Sequence, residues 1–360
     1  MSDYKKSGVD TDAADAWVEN LEKLTNTSVG KSLGAQNLKK KLISGIGEYA
    51  ALFELTPNQL LALSCDGVGT KLLWTIDGLG TPEDLAVDLL AMNANDVLCT
   101  GATPTLFLDY LAVSSKDQLK PGALLHRFVA GLATACAESN QLLVGGETAQ
   151  MPDLYEPGHF DAAGFSLGFM RPEERLGVDL IVPGASVWGW ESSGPHSNGF
   201  SWLRKIFDRE KDAAFITQHL MPPTRLFVND FAALRRELDA LGANKKLLAA
   251  FHITGSGFMN LLRTPHAKFK LSFELSSFPQ KLPEWVEQVE QRTGASREQL
   301  FRALNMGFGF VLLFDPSLVE AERILLNSKG LKHLGSLESG DRDQVVLPGQ
   351  AAGRGQLVLT

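Results

Sequence analysis

Two rhythms alternate along the chain. Short apolar runs end at glycine-bearing polar loops, and between them apolar residues recur every three or four positions. The first rhythm predicts strands and the second helices. Leu60-Leu61-Ala62-Leu63-Ser64 reads as a strand that leads into Asp66-Gly67-Val68-Gly69-Thr70-Lys71. Thr81-Pro82-Glu83-Asp84 reads as a helix start, with a capping threonine, a proline at the first helical position and two acids at the positive end of the dipole. That helix is expected to reach about Thr100 and stop at Gly101. Thr105–Val113 reads as a strand, Pro121 opens a helix to about Glu138, and Gln141–Val144 reads as a short buried strand ending at Gly145-Gly146. Ala162–Met170 is a further strand, and Pro172-Glu173-Glu174-Arg175 marks a boundary between domains 1–172 and 173–360.

The second half repeats the mixture. Strands are expected at Ser186–Glu191, Leu247–Ile253, Lys268–Leu275 and Phe308–Phe314. Helices are expected at Phe200–Phe207, from about Arg225 to Leu241, and after Pro316. The first sixty residues are polar, glycine-punctuated and weakly periodic. No short-period repeat is visible, which excludes a solenoid. The alternation predicts an α+β protein, with two α/β domains in which helices pack on sheets.

Composition narrows the functional classes. At 44% hydrophobic and 21% charged over 360 residues, the chain has enough apolar material for a core. A net charge of −8 argues against nucleic-acid binding through a broad basic surface, while leaving room for a small anionic ligand. Cys65, Cys99 and Cys136 are widely spaced and form neither a disulfide framework nor a zinc motif. The start of the chain lacks a signal-peptide pattern, and the longest apolar run, Phe308–Phe314, is far short of a membrane span. A cytoplasmic location is the expectation.

Candidate chemistry gathers in the glycine-bearing loops. In Asp66–Lys71, Gly67 and Gly69 allow close backbone approach, Thr70 and Lys71 offer a hydroxyl and a cation, and Asp66 suits a divalent cation. The spacing is not that of a Walker loop, and a plain polar turn with an exposed lysine fits equally. Asp88, Met92, Asn95 and Asp96 share a helical stripe, and Asp96 is also in line with Leu85, Leu89 and Met92. A carboxylate so placed needs a metal, a basic partner or a proton. Gly145-Gly146-Glu147-Thr148 sets an acid beyond a strand, although a glycine turn explains it as simply. Ser192–Gly199 brings Ser193, His196, Ser197 and Asn198 before a helix, either as an anion site or as an elaborate cap. His252-Ile253-Thr254-Gly255-Ser256-Gly257 repeats the design, and His252 also suits a core position.

At these residues the chain resembles the phosphoribosylformylglycinamidine cyclo-ligase family, also called aminoimidazole ribonucleotide synthetases. The resemblance runs from Tyr4-Lys5-Lys6-Ser7-Gly8-Val9-Asp10 nearly to the carboxyl terminus. It includes Asp66–Lys71, Val87–Met92, the segment Asp96–Pro104, Phe107–Tyr110, Gly145–Pro152, Ser192–Gly199, Pro223-Thr224-Arg225, His252–Phe258 and Asn305-Met306-Gly307. The segment ending at Pro104 is shared by a wider ATP-using superfamily, whereas its combination with Gly145–Pro152 and Ser192–Gly199 is particular to the cyclo-ligases.

The resemblance implies a homodimer whose amino-terminal mixed sheets close into a barrel. It also implies a carboxyl-terminal α/β sandwich-like domain that completes a substrate and nucleotide site. The implied reaction converts formylglycinamidine ribonucleotide and ATP to aminoimidazole ribonucleotide, ADP and phosphate, with Mg2+. Carried over by position, Asp66 and Asp96 are the implied metal ligands. Asp66, Gly67, Gly69, Thr70, Lys71, Asp88, Asp96, Glu147, Ser193, Ser197 and Asn198 are implied to bind nucleotide or cofactor. Lys71, His196 and His252 are the implied catalytic residues. The chain departs from the family at Gln150, where glutamate is common, at Ser256, where a third glycine is usual, and in Thr25–Lys41. A selenophosphate synthetase would carry a reactive residue near its amino terminus, but the first cysteine here is Cys65. A non-catalytic descendant would be expected to lose Asp66, Lys71 or Asp96, and all are present.

Overall fold

In the computed structural model, which describes residues 11–262, 268–348 and 356–360, two mixed sheets flank and support a buried central helix. Tyr4-Lys5-Lys6 lies outside the described residues. The first sheet contains β1 (Leu42–Ser44), β2 (Ala51–Thr56), β3 (Gln59–Gly67), β4 (Thr103–Val113), β5 (Leu142–Gln150) and β6 (Phe160–Met170). Their order is β1-β2-β3-β6-β4-β5, and only β4 and β5 are parallel. The helices of this half are α1 (Thr11–Val29), α2 (Leu33–Lys39), α3 (Lys71–Ile76), α4 (Pro82–Cys99) and α5 (Leu124–Glu138).

The second sheet contains β7 (Ala185–Glu191), β8 (Leu247–His252), β9 (Leu271–Glu274), β10 (Phe308–Phe314), β11 (Leu331–Ser339), β12 (Gln344–Leu347) and β13 (Leu357–Leu359). Its order is β13-β12-β9-β11-β7-β10-β8. The longer helices around it are α6 (Phe200–Ile206), α7 (Val228–Ala240), α8 (Glu284–Thr293), α9 (Arg297–Ala303) and α10 (Glu320–Ser328). The expected α+β class and the two sheets are present.

Burial explains the unbroken apolar sequence of β10. Val311 and Leu313 enter one core with Phe200, Val286 and Leu300, while Phe310, Leu312 and Phe314 enter a second core with Phe231, Leu234 and Leu326. A strand covered on both faces has no solvent side to mark with polar residues. The second core also takes in Ala94 and Leu98 of α4, so the central helix joins the two halves. Thr81 caps α4 by accepting from the Asp84 N–H at 3.1 Å, and Pro82 occupies the first turn. Gly101 stops the helix at φ +91, where a Cβ would lie 2.4 Å from the Glu174 carbonyl oxygen.

The first sheet is covered differently. α4 and α5 pack on one face over Phe107, Leu111, Phe160 and Ala162. The other face shows Leu63, Phe165 and Leu142, which are 39%, 40% and 62% exposed, and no described residue covers them. The expected short buried strand at Gln141–Val144 is corrected here. β5 continues through Gly145 and Gly146 to Gln150 as a largely exposed edge strand. A register shift between Phe107 and Leu108 takes up the extra residue, and Gly145 adopts φ +153, so the glycines bend the strand without ending it.

Candidate active site

Three chain segments converge where α4 meets the second sheet. The first is the end of β3. Asn93 of α4 grips it on both sides, accepting from the Asp66 N–H at 2.8 Å and donating to the Asp66 carbonyl at 3.2 Å. Asp66 Oδ1 accepts from the Gly67 N–H at 2.7 Å. Burial, and then the neighbouring charge of Asp96, push the Asp66 carboxyl up to about 6, against the pull of the Gly67 N–H and His252. Gly69 follows at φ +68, and a Cβ there would lie 3.5 Å from the Ser197 carbonyl oxygen. Thr70 meets Ser201 through hydroxyls 3.0 Å apart. The phosphate-loop candidate and the Ser192–Gly199 loop are therefore neighbours.

The second segment is the carboxyl-terminal half of α4. Asp96 Oδ1 lies 2.8 Å from His252 Nδ1, which answers the need for a partner. Asn95 fixes the ring from the other side. Its Oδ1 accepts from the Phe227 N–H at 3.1 Å, so its Nδ2 faces both the Arg225 carbonyl at 3.0 Å and His252 Nε2 at 3.5 Å. An amide nitrogen on Nε2 and a carboxylate on Nδ1 suit the Nδ1–H tautomer. His252 is fully buried, as the core alternative anticipated, yet it is bonded to the site carboxylate.

The Ser192–Gly199 loop is the third segment. Asn305 supports it, accepting from Ser192 Oγ at 3.2 Å and donating to the Gly194 carbonyl at 2.8 Å. Ser193 donates its hydroxyl to the Pro223 carbonyl. Asn198 reaches toward Met92 on one side and Gly255 on the other. His196 is fully buried at φ +62, a left-handed conformation that costs a non-glycine residue roughly 1–3 kcal/mol. Its ring lies on Gly309, where a Cβ would approach within 2.2 Å, and both ring nitrogens lack hydrogen-bond partners among the described residues. Burial, with the nearby His252, Lys71 and Arg225, holds it well below the usual imidazole range. The His196 ring is enclosed by Gly309, Phe227 and His252.

Other predicted residues lie elsewhere. Lys71 is not an exposed loop cation: it is 1% exposed in the first turn of α3, with Nζ 2.7 Å from Asp88 Oδ2 and 2.8 Å from the Pro222 carbonyl. Asp88 is also fully buried. Glu147 is exposed in the middle of β5, opposite Tyr110, on the uncovered face of the first sheet. The structure does not bring it to the loop of Asp66. Asn93 and Thr224 had no role assigned from the sequence. The available signal was a polar residue within an apolar helix for Asn93, and the Pro-Thr-Arg motif for Thr224.

Comparisons with known proteins bear on the family and the fold. The family described as AIR synthase related protein, N-terminal domain, matches residues 47–170. A phosphoribosylformylglycinamidine cyclo-ligase of Xanthomonas oryzae pv. oryzae is 34% identical over 342 residues, covering 92% of this chain and 94% of the relative. One from Staphylococcus saprophyticus is 32% identical, covering 91% and 93%. Among solved structures, the hydrogenase maturation protein HypE in complex with ATP superposes with a TM-score of 0.60 at 20% identity, covering 86% of this chain and 87% of that one. A ThiL complexed with AMPPCP and TMP gives 0.58 at 18% identity, covering 87% and 91%. These two likenesses concern the fold, whereas the sequence relatives extend along nearly the whole chain. The chain belongs to the phosphoribosylformylglycinamidine cyclo-ligase family.

Proposed function

We propose that the chain is an ATP-dependent cyclo-ligase, converting formylglycinamidine ribonucleotide to aminoimidazole ribonucleotide with release of ADP and phosphate. The observation that carries this reading is the convergence of the Asp66–Thr70 loop, Asp96 with His252, and the Ser192–Gly199 loop in one place, in a chain related to cyclo-ligases over almost all its length. The γ-phosphoryl group passes to the formyl oxygen, a nitrogen of the substrate attacks the activated carbon, and phosphate leaves as the ring closes. The protein's part is to hold the two anions together and keep water from the activated ester.

Asp66 and Asp96 suit Mg2+. Two carboxyls close enough to raise the affinity of Asp66 for protons supply hard oxygen donors that a divalent cation would stabilise. Among the described residues no group of three or more His, Cys, Asp or Glu side chains is arranged to hold a metal by itself. That fits a cation carried mainly by nucleotide phosphates and water. When bound, Mg2+ would neutralise charge on the transferring phosphoryl group. Gly67, Gly69 and Thr70 would line the phosphates, with Ser193 and Asn198 on the opposite wall.

The bare face of the first sheet, with Leu63, Phe165 and Leu142, suits a second copy of the chain, and the functional unit is read as a homodimer. Sedimentation that returns a monomer at micromolar concentration would remove that part. No described helix is long and apolar enough to cross a membrane, and a cytoplasmic setting suits this chemistry. The deciding assay mixes purified protein with formylglycinamidine ribonucleotide, ATP and Mg2+. Substrate-dependent ADP and an aminoimidazole product are expected, and their absence would sink the assignment.

A further inference from the structure

Lys71, Asp88, Thr224 and Ser197 form a line of polar contacts that passes from the first half of the molecule to the second. Three of the four residues are essentially buried, with Lys71 at 1%, Asp88 at 0% and Thr224 at 1% exposure. Lys71 Nζ donates to Asp88 Oδ1 at 3.0 Å and to the Pro222 carbonyl at 2.8 Å. Asp88 Oδ1 also accepts from the Thr224 N–H at 2.7 Å and the Thr224 hydroxyl at 2.6 Å. The Ser197 hydroxyl then lies 3.2 Å from Thr224 Oγ1. Lys71 and Asp88 belong to α3 and α4, whereas Thr224 and Ser197 belong to segments around the second sheet.

The direction of these bonds follows from what each group can donate. An ionised carboxylate only accepts, so the single Thr224 hydroxyl proton goes to Asp88. Thr224 Oγ1 is then left as an acceptor, and the bond from Ser197 must use the serine's own proton. The half-buried Ser197 oxygen keeps only lone pairs for anything else.

We propose that Lys71, Asp88 and Thr224 form a buried latch between the two halves that sets both the position of the Ser192–Gly199 loop and the direction of the Ser197 hydroxyl. Thr224 is the positioning residue in this latch, because it alone touches both Asp88 and Ser197. With its proton turned inward, Ser197 meets a ligand as an acceptor. It therefore matches an O–H or N–H donor, such as a ribose hydroxyl or an amidine nitrogen, and not a phosphate oxygen. The latch also gives Lys71 a task that its loop position hides, which is to oppose the upward push of burial on the Asp88 carboxyl and to hold Pro222 in place.

The turnover part of the test rests on the cyclo-ligase reading, while the exchange part does not. Thr224→Val removes the hydroxyl at nearly constant volume, and Thr224→Ser restores it. In the valine variant, amide hydrogen exchange in residues 194–199 is expected to accelerate roughly tenfold to hundredfold, with kcat/KM for the amidine ribonucleotide falling by a similar factor. The serine variant is expected to recover most of both. Ser197→Ala, which cuts the last contact without opening the core, should accelerate exchange in the same loop. Unchanged exchange in the loop would overturn the latch. Equal acceleration across β7, β8 and β10, or a serine variant no better than valine, would reduce Thr224 to a general packing role and overturn it too. If the wild-type protein shows no ring closure, the reaction reading falls, and the exchange measurements still decide the latch.

Discussion

Asp88 and Asp96 stand eight residues apart on α4, about two helical turns, yet their surroundings differ sharply. Asp88 is sealed from water and meets an ammonium, a hydroxyl and a backbone N–H. Asp96 retains 14% of its side-chain exposure, bonds to His252 and lies close enough to Asp66 to raise that residue's pKa. One carboxylate is enclosed by donors from two halves of the protein, while the other shares a cleft with a second acid. The difference separates a group that holds the site together from one suited to a cation.

Removing Asp88 should produce the larger change in stability. Asp88→Ala leaves the Lys71 ammonium buried without its counter-charge and strips Thr224 of its acceptor. Loss of one partner of a buried pair costs about 3–5 kcal/mol. Urea unfolding is expected to show a loss of that size, and a change below about 1 kcal/mol would contradict the structural role. Asp96→Asn should do the reverse. Asparagine keeps an oxygen for His252 Nδ1–H, so the fold should be retained, while Mg·ATP-dependent turnover is expected to fall roughly a hundredfold. Wild-type kinetics in the folded variant would remove Asp96 from the site.

The contrast was only half legible in the sequence. Asp96 could be recognised as needing a partner because it lines up with Leu85, Leu89 and Met92, but whether that partner was a metal or a base could not be read from spacing. Asp88 belonged to the same helical stripe, and its decisive donor, Thr224, is 136 residues away in the chain. Lys71 looked available to phosphate because it follows two glycines, whereas its burial depends on Asp88 and Pro222. Local pattern served best where a strand is covered on both faces, as in Phe308–Phe314. It failed at Gly145-Gly146, where pairing with β4 outweighs the turn preference of glycine. The helix Thr11–Val29 was missed although Trp17, Leu21 and Leu24 recur at helical spacing, and that stripe is little covered, with Trp17 at 60% and Leu24 at 53% exposure.

Asp66 offers a gentler way to sharpen the comparison, because its ionisation can be followed without removing a buried partner. Its folded-state pKa is raised from 3.8 to about 6, so between these values the folded protein binds more protons than the unfolded chain. Stability from this group is therefore greatest below the unfolded value, declines as pH rises through the window, and carries its full cost above the folded value. A shift of that size corresponds to about 3 kcal/mol at most, and solvent relaxation in the cleft should reduce it. Asp66→Asn is accordingly expected to melt higher than wild type at pH 8, by an amount that shrinks toward pH 4, while losing Mg·ATP-dependent turnover. Adding Mg·ATP should narrow the gap at pH 8 by stabilising wild type alone. A variant that melts lower than wild type at pH 8, or that gains as much from Mg·ATP, would show that Asp66 is held by donors as Asp88 is, and would erase the distinction between the two kinds of acid.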